Sequence, residues 1–152
     1  MIKAIGKWLG PLILVIGLTH SHAAAGSGIG LGAVVGEPTG LSAKIWQGRM
    51  NSIDMLVGWS FRSNYVHLVA DYVWHNYDLI PVNRGKFPIY YGLGGSAVVA
   101  NDPSIGVRIV GGLEYLFPDA PLDLFLEVAP VAVIVPDAGI DVNAGLGMRF
   151  FF

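Results

Sequence analysis

The sequence predicts an all-β protein, an eight-stranded, antiparallel, up-and-down transmembrane β-barrel. Three observations carry that expectation. Turn signals cut the chain after residue 25 into eight segments, most of them 9 to 14 residues long. Within most segments apolar and polar residues alternate with period two, which marks a strand with two unlike faces. Charged residues make up only 13 % of the chain, about half the share of a typical soluble domain. That is too little charge to coat a water-facing exterior.

The first 25 residues read as a secretory signal. Lys3 and Lys7 form a positive n-region, and Trp8 to Thr19 is an apolar run of h-region length. The run is too short to span about 30 Å of hydrocarbon, and Pro11 interrupts it. Ser21-His22-Ala23 and Ala23-Ala24-Ala25 place small residues at the positions a signal peptidase reads, so a mature chain would begin at Ala24 or Gly26. The expected organisation is therefore a signal peptide over 1–25 and one barrel domain over 26–152. Without Lys3 and Lys7, seven basic residues face 11 acidic ones, a net charge of −4. With no basic excess and no Lys/Arg cluster, nucleic acid is excluded as a partner. The absence of Cys excludes a disulfide scaffold and a Cys-based zinc site.

Glu37-Pro38, Gly48-Arg49, Arg62-Ser63-Asn64, Asn101-Asp102-Pro103, Pro118-Asp119 and Pro136-Asp137-Ala138-Gly139 each hold residues that pre-set tight turns. A longer link runs from Asp78 to Lys86. Between these lie strands expected near Gly28–Gly36, Thr39–Gln47, Ser52–Phe61, Tyr65–Tyr77, Phe87–Ala100, Ile105–Phe117, Leu122–Val135 and Ile140–Phe152. Such lengths exceed the five or six residues usual in soluble sheets and match a strand tilted across a bilayer, about 9 to 11 residues.

In the third segment Ile53, Met55, Val57, Trp59 and Phe61 oppose Asp54, Gly58 and Ser60. In the fourth, Val66, Leu68, Ala70, Tyr72 and Trp74 oppose His67, Asp71 and His75. The sixth sets Ile105, Val107 and Ile109 against Gly106 and Arg108, and the seventh sets Leu122, Leu124 and Leu126 against Asp123 and Glu127. The eighth sets Ile140, Val142, Leu146, Met148, Phe150 and Phe152 against Asp141, Asn143 and Arg149. VAVIV after Pro130 is apolar on both faces, leaving open whether that strand continues or bulges.

Alternation alone does not say which face is outside, and a soluble lipocalin-like ligand-binding barrel would turn the apolar face inward. The apolar face favours the opposite arrangement. It is aliphatic in the middle and aromatic toward the strand ends, at Trp46, Trp59, Phe61, Trp74, Tyr115, Phe117, Phe150 and Phe152. That is the pattern of aromatic girdles at two membrane interfaces. A closed barrel is also the only sheet that leaves no edge unpaired in lipid.

With the apolar face outside, Lys44, Asp54, His67, Asp71, Arg108, Glu114, Asp123, Glu127, Asp141 and Arg149 become an interior polar cluster. Its three cations face six anions. An eight-stranded barrel is just wide enough for side chains to fill, so the cluster reads as a salt-bridged plug, with a narrow acidic ion path as the alternative. His67, Asp71 and His75 share a face at spacings of four, roughly 13 Å apart along a strand. That is too far for one metal or hydrolytic site unless neighbouring strands contribute. Gly30, Gly32 and Gly36, like Gly92, Gly94 and Gly95, lack the following helix and Lys-Ser/Thr of a phosphate-binding loop. No cofactor or metal site is implied.

These residues resemble the small eight-stranded outer-membrane β-barrels of Gram-negative bacteria, the OmpA-like and OmpX-like group. The terminal Gly147-Met148-Arg149-Phe150-Phe151-Phe152 is similar to the C-terminal signal that the barrel-assembly machinery reads, with Phe150 and Phe152 as its aromatic positions; Leu146 stands where that signal usually has a polar residue. GEPTGLSAKIW (Gly36 to Trp46), HLVADYVWHNYDL (His67 to Leu79) and PLDLFLEVAP (Pro121 to Pro130) resemble a widespread bacterial family of outer-membrane barrels without an assigned general function. The resemblance implies a bacterial outer-membrane location, outer-membrane lipid and the assembly machinery as partners, and a structural or envelope-integrity role without catalysis. The alternative within this group is a lipid A-modifying enzyme, an acyl hydrolase or acyltransferase. The His-x-Ser pairing of the deacylase on one strand has no counterpart after residue 25.

Overall fold

The computed structural model describes residues 27–60 and 64–152. The signal peptide with its cleavage positions, and Phe61, Arg62 and Ser63, lie outside the described residues. Eight strands follow one another: β1 Ile29–Glu37, β2 Thr39–Trp46, β3 Asn51–Trp59, β4 Val66–Asn76, β5 Ile89–Val99, β6 Ser104–Leu116, β7 Leu122–Val135 and β8 Gly139–Phe151. Each pairs antiparallel with its neighbours in sequence, and β1 pairs with β8, closing the barrel. The bounds agree with the turn signals to within two residues, because Pro, Gly, Asn and Asp set both the turns and the strand limits.

The alternation has a clear sense. Leu68, Ile109, Leu126 and Leu146 point outward, 41 %, 61 %, 52 % and 52 % exposed. Val69, Val73, Val110, Phe125 and Ala129 point inward and are buried. Every charged side chain of β2 to β8 lies on the inward-facing parity. Two inward apolar groups share the interior with the charges. Trp46, Leu116 and Phe151 close the end that carries the chain terminus, and Val34, Val73, Tyr90, Val110, Phe125 and Ala129 pack at mid-height.

Three sequence expectations are corrected. Trp46, assigned to the outer aromatic face, is 8 % exposed and points inward; it shares the parity of Ser42 and Lys44 in β2. The terminal Phe150-Phe151-Phe152 reads in the sequence as a finish on three exposed aromatics, whereas Phe151 is fully buried inside the barrel base. Phe150 remains outward, its ring 5.3 Å from that of Phe152. Asp141 keeps the inward parity but sits beside the β7–β8 turn, beyond the packed interior, and is exposed. Trp59, Tyr72, Trp74 and Tyr91 are outward and exposed.

The ambiguous segment after Pro130 stays in the sheet, and β7 runs unbroken to Val135. Its ladder to β6 lapses at Ala129 and Pro130, as expected where proline has no N–H to donate. Farther on, Ile105 pairs with Val135 but Gly106 with Val133, so Ile134 is an extra residue in a bulge. A bulge lets both faces of VAVIV be apolar without a break in pairing.

Candidate functional site

The interior charges form two layers. The layer nearer the chain terminus starts from register: Lys44 of β2 is the Cα partner of Asp54 of β3, and Asp123 of β7 is that of Arg149 of β8. Lys44 Nζ donates to Asp54 Oδ2 at 3.0 Å and lies 3.5 Å from Glu114 Oε2. The Arg149 guanidinium binds Asp123 through Nε at 3.0 Å and Nη2 at 2.7 Å, and reaches Glu114 at 3.4 Å and Asp54 at 3.5 Å. It also covers the Phe125 ring, 4.0 Å from its centroid. Ser52 Oγ donates to Asp54 Oδ1 at 2.7 Å, and His75 Nε2 lies 2.9 Å from Glu114 Oε2. All of these side chains are buried.

The second layer is nearer the other end. Arg108 Nε lies 2.9 Å from Asp71 Oδ1, and its Nη2 donates to Glu127 Oε2 at 2.9 Å. The Tyr90 hydroxyl donates to Glu127 Oε1 at 3.0 Å. Asp54 and Asp71 are direct cross-strand partners on the same face, an unfavourable like-charge pairing. It is relieved because each carboxylate turns to a different layer's cation.

Two glycines make the second layer possible. Gly94 of β5 stands between Asp71 and Arg108, the Cα partner of both. A Cβ there would collide with Asp71 Oδ1, so its absence lets Arg108 reach across a whole strand. Gly112 stands in the same way between Tyr90 and Glu127, and a Cβ there would strike the Tyr90 ring. Close approach of other groups is a known use of glycine inside strands.

His67, Asp71 and His75 share a face but do not meet. Asp71 serves Arg108, and His75 Nδ1 lies 2.9 Å from Met50 O while its other nitrogen faces Glu114. His67 is 2 % exposed with neither ring nitrogen hydrogen-bonded, its ring edge-on to Tyr65. No Ser–His–carboxylate relay therefore forms at His67 or His75 among the described residues, and no group of His, Asp and Glu there could hold a metal ion. A side chain left without partners in the interior can be exchanged for an apolar one at little cost. His67→Leu is accordingly expected to change stability by no more than about 1 kcal/mol, in either direction, in a urea titration of the micelle-bound protein. A loss of 3 kcal/mol or more, on the scale of a broken buried ion pair, would show that His67 has a partner that this geometry misses.

Of the ten residues expected inside, Lys44, Asp54, His67, Asp71, Arg108, Glu114, Asp123 and Arg149 are buried, Glu127 is partly buried and Asp141 is exposed. Sequence reasoning did not single out Tyr90, Ser42 and Ser52 as partners. Their parity with Lys44 and Asp54, or with Gly92 and Gly94, is the signal that could have found them. Between the layers remains a cavity of about 30 Å³ bordered by Ser42, Asp54, Asp71, Arg108, Asn143 and Arg149. That is space for a water or two.

No family model and no curated protein matches the sequence. Among solved structures, the N-terminal β-barrel domain of Pseudomonas aeruginosa OprF is similar over 80 % of this chain and 93 % of that one, with a TM-score of 0.56 and 15 % sequence identity. At that identity the likeness is one of fold: this chain is an eight-stranded antiparallel barrel of the OprF N-terminal domain kind.

Proposed function

We propose that the chain is a small bacterial outer-membrane barrel with a structural or envelope-integrity role and no catalysis. One observation carries the reading: the charged side chains of β2 to β8 all take the inward parity while the outward face is a band of aliphatic residues with aromatics among them. In water this arrangement would expose a large apolar surface and bury charge, an aggregation hazard. In a bilayer the first cost vanishes, because lipid covers the band and closure leaves no unpaired edge. The buried charges are met by pairing with one another across the interior. The signal peptide over 1–25 would deliver the chain, and the barrel-assembly machinery would insert it with both termini in the periplasm.

An interior lined by paired charges argues against a lipocalin-like ligand barrel, which would turn its apolar face inward. Cations bound to carboxylates across the lumen argue against an ion path. The external-side connections would then be the single residue Pro38 and the short links near 60–65, 100–103 and 136–138. Such short links leave little surface for an adhesin or receptor. The longest connection, 77–88, would be periplasmic. Outer-membrane fractionation with heat-modifiable migration in detergent gels tests this reading. Recovery as a soluble periplasmic protein would overturn it. Unchanged lipid A in the mass spectrum of a deletion strain is expected, whereas loss of an acyl modification would favour the lipid A-modifying alternative.

Ile109 stands at mid-height of β6 on the outward face. Ile109→Arg is expected to cost about 2–4 kcal/mol in a bilayer-based unfolding titration, the price of a cation near the midplane. A cost near zero would put Ile109 in water.

A further inference from the structure

The exposed charges are sorted by end. Among the described residues, the end opposite the chain terminus carries the exposed Asp102, Asp137 and Asp141, with Glu37 half-buried, and no exposed Lys or Arg. The terminus end carries Arg49, Arg84 and Lys86 against Asp78 and Asp119. Arg84 is paired with Asp119. Arg49 and Lys86 form no ion pair among the described residues.

These two cations flank an open groove of about 470 Å³, whose other walls are Met50, Tyr77 and Asp78. The groove is built. The Tyr77 hydroxyl donates to Arg49 O at 2.7 Å, tying the β2–β3 turn to the long β4–β5 connection. Lys86 Nζ lies 5.7 Å from the Tyr77 ring centroid, a cation–π distance. Met50 is 54 % exposed, and it precedes Asn51, whose Cα partner is the outward Trp74. The groove thus begins where the outer apolar band ends. On the same connection Leu79 and Val82 stand exposed, apolar side chains placed where a membrane surface would meet them.

We infer that this groove binds the headgroup of an anionic phospholipid in the leaflet at the terminus end. The inference rests on the membrane reading above. A phosphodiester would sit between Arg49 and Lys86, with acyl chains running up past Met50 and Trp74. Two cations against the single carboxylate of Asp78 favour a headgroup with net negative charge. A choline or ethanolamine headgroup would bring its own cation against Arg49 and Lys86. Among the described residues, the opposite end offers no Lys or Arg for such a seat.

The test uses the mature barrel in mixed micelles of phosphatidylglycerol and phosphatidylcholine at equal concentration, with retained lipid read by native mass spectrometry. The wild type is expected to retain phosphatidylglycerol over phosphatidylcholine by roughly 5- to 30-fold, the worth of one or two surface cations. Arg49→Gln/Lys86→Gln should bring the ratio near one while heat-modifiable migration stays unchanged. Arg49→Lys/Lys86→Arg should keep the preference. An undiminished preference in the Gln pair would overturn the inference. So would no preference in a wild type that inserts normally. A wild type that fails to insert at all would instead remove the membrane reading, and this inference with it.

Discussion

Arg149→Met is expected to cost about 3–5 kcal/mol of folding free energy, the range for removing one partner of a buried charge network. Arg149 is 2 % exposed and binds three carboxylates, Asp123, Asp54 and Glu114. Met fills similar space over Phe125 but supplies no charge, leaving Lys44 as the one Lys or Arg still bound to that layer. The penalty comes from stranding carboxylates away from water more than from the lost attraction. Adding Asp123→Asn should therefore recover part of the loss, because it removes the carboxylate that binds Arg149 most closely. Urea titration of the protein in micelles measures both variants. A single-variant cost below 1 kcal/mol would mean that water reaches this layer freely.

The second large effect concerns assembly. Phe150→Ser/Phe152→Ser is expected to leave secretion across the inner membrane intact and to abolish most outer-membrane insertion. The two rings form an edge-on pair at the chain terminus, on the outward side of β8. An aromatic there can rest at the membrane interface, and the terminal segment resembles the signal read by the assembly machinery. Phe151 stays in place in this variant, so the inner packing with Trp46 and Leu116 is kept. A loss of insertion would then reflect the outward rings and not a collapsed base. The protein should accumulate in the periplasm or be degraded there, and normal heat-modifiable migration of the variant would count against the assignment.

Strand number, order and facing were legible because period-two alternation reports directly on a sheet with unlike faces. Depth was not legible. Asp141 has the right parity for the interior, yet periodicity fixes a face and not a height, so its exposure needed the closed barrel. Trp46 was readable from Ser42 and Lys44, but its position near a strand end suggested the membrane interface more strongly. Three consecutive phenylalanines gave no alternation at Phe151. β5, with three glycines and little polar alternation, hid Tyr90, whose role appears only when Gly112 is seen between it and Glu127. The division of eight buried or half-buried ionic groups into two layers depends on register around the barrel, which local sequence does not encode.

In the proposed arrangement the apolar face meets lipid and the charged face is turned inside. The chain has no cysteine of its own, so single cysteines at Leu68, Ile109, Leu124 and Leu146, and separately at Gly58 and Ser60, can each carry a small fluorophore in the reconstituted protein. Brominated lipids are expected to quench the first set strongly and the second set weakly. Quenching of the labels at Gly58 and Ser60, with those at Leu68, Ile109, Leu124 and Leu146 untouched, would mean that the barrel is turned inside out from the one described.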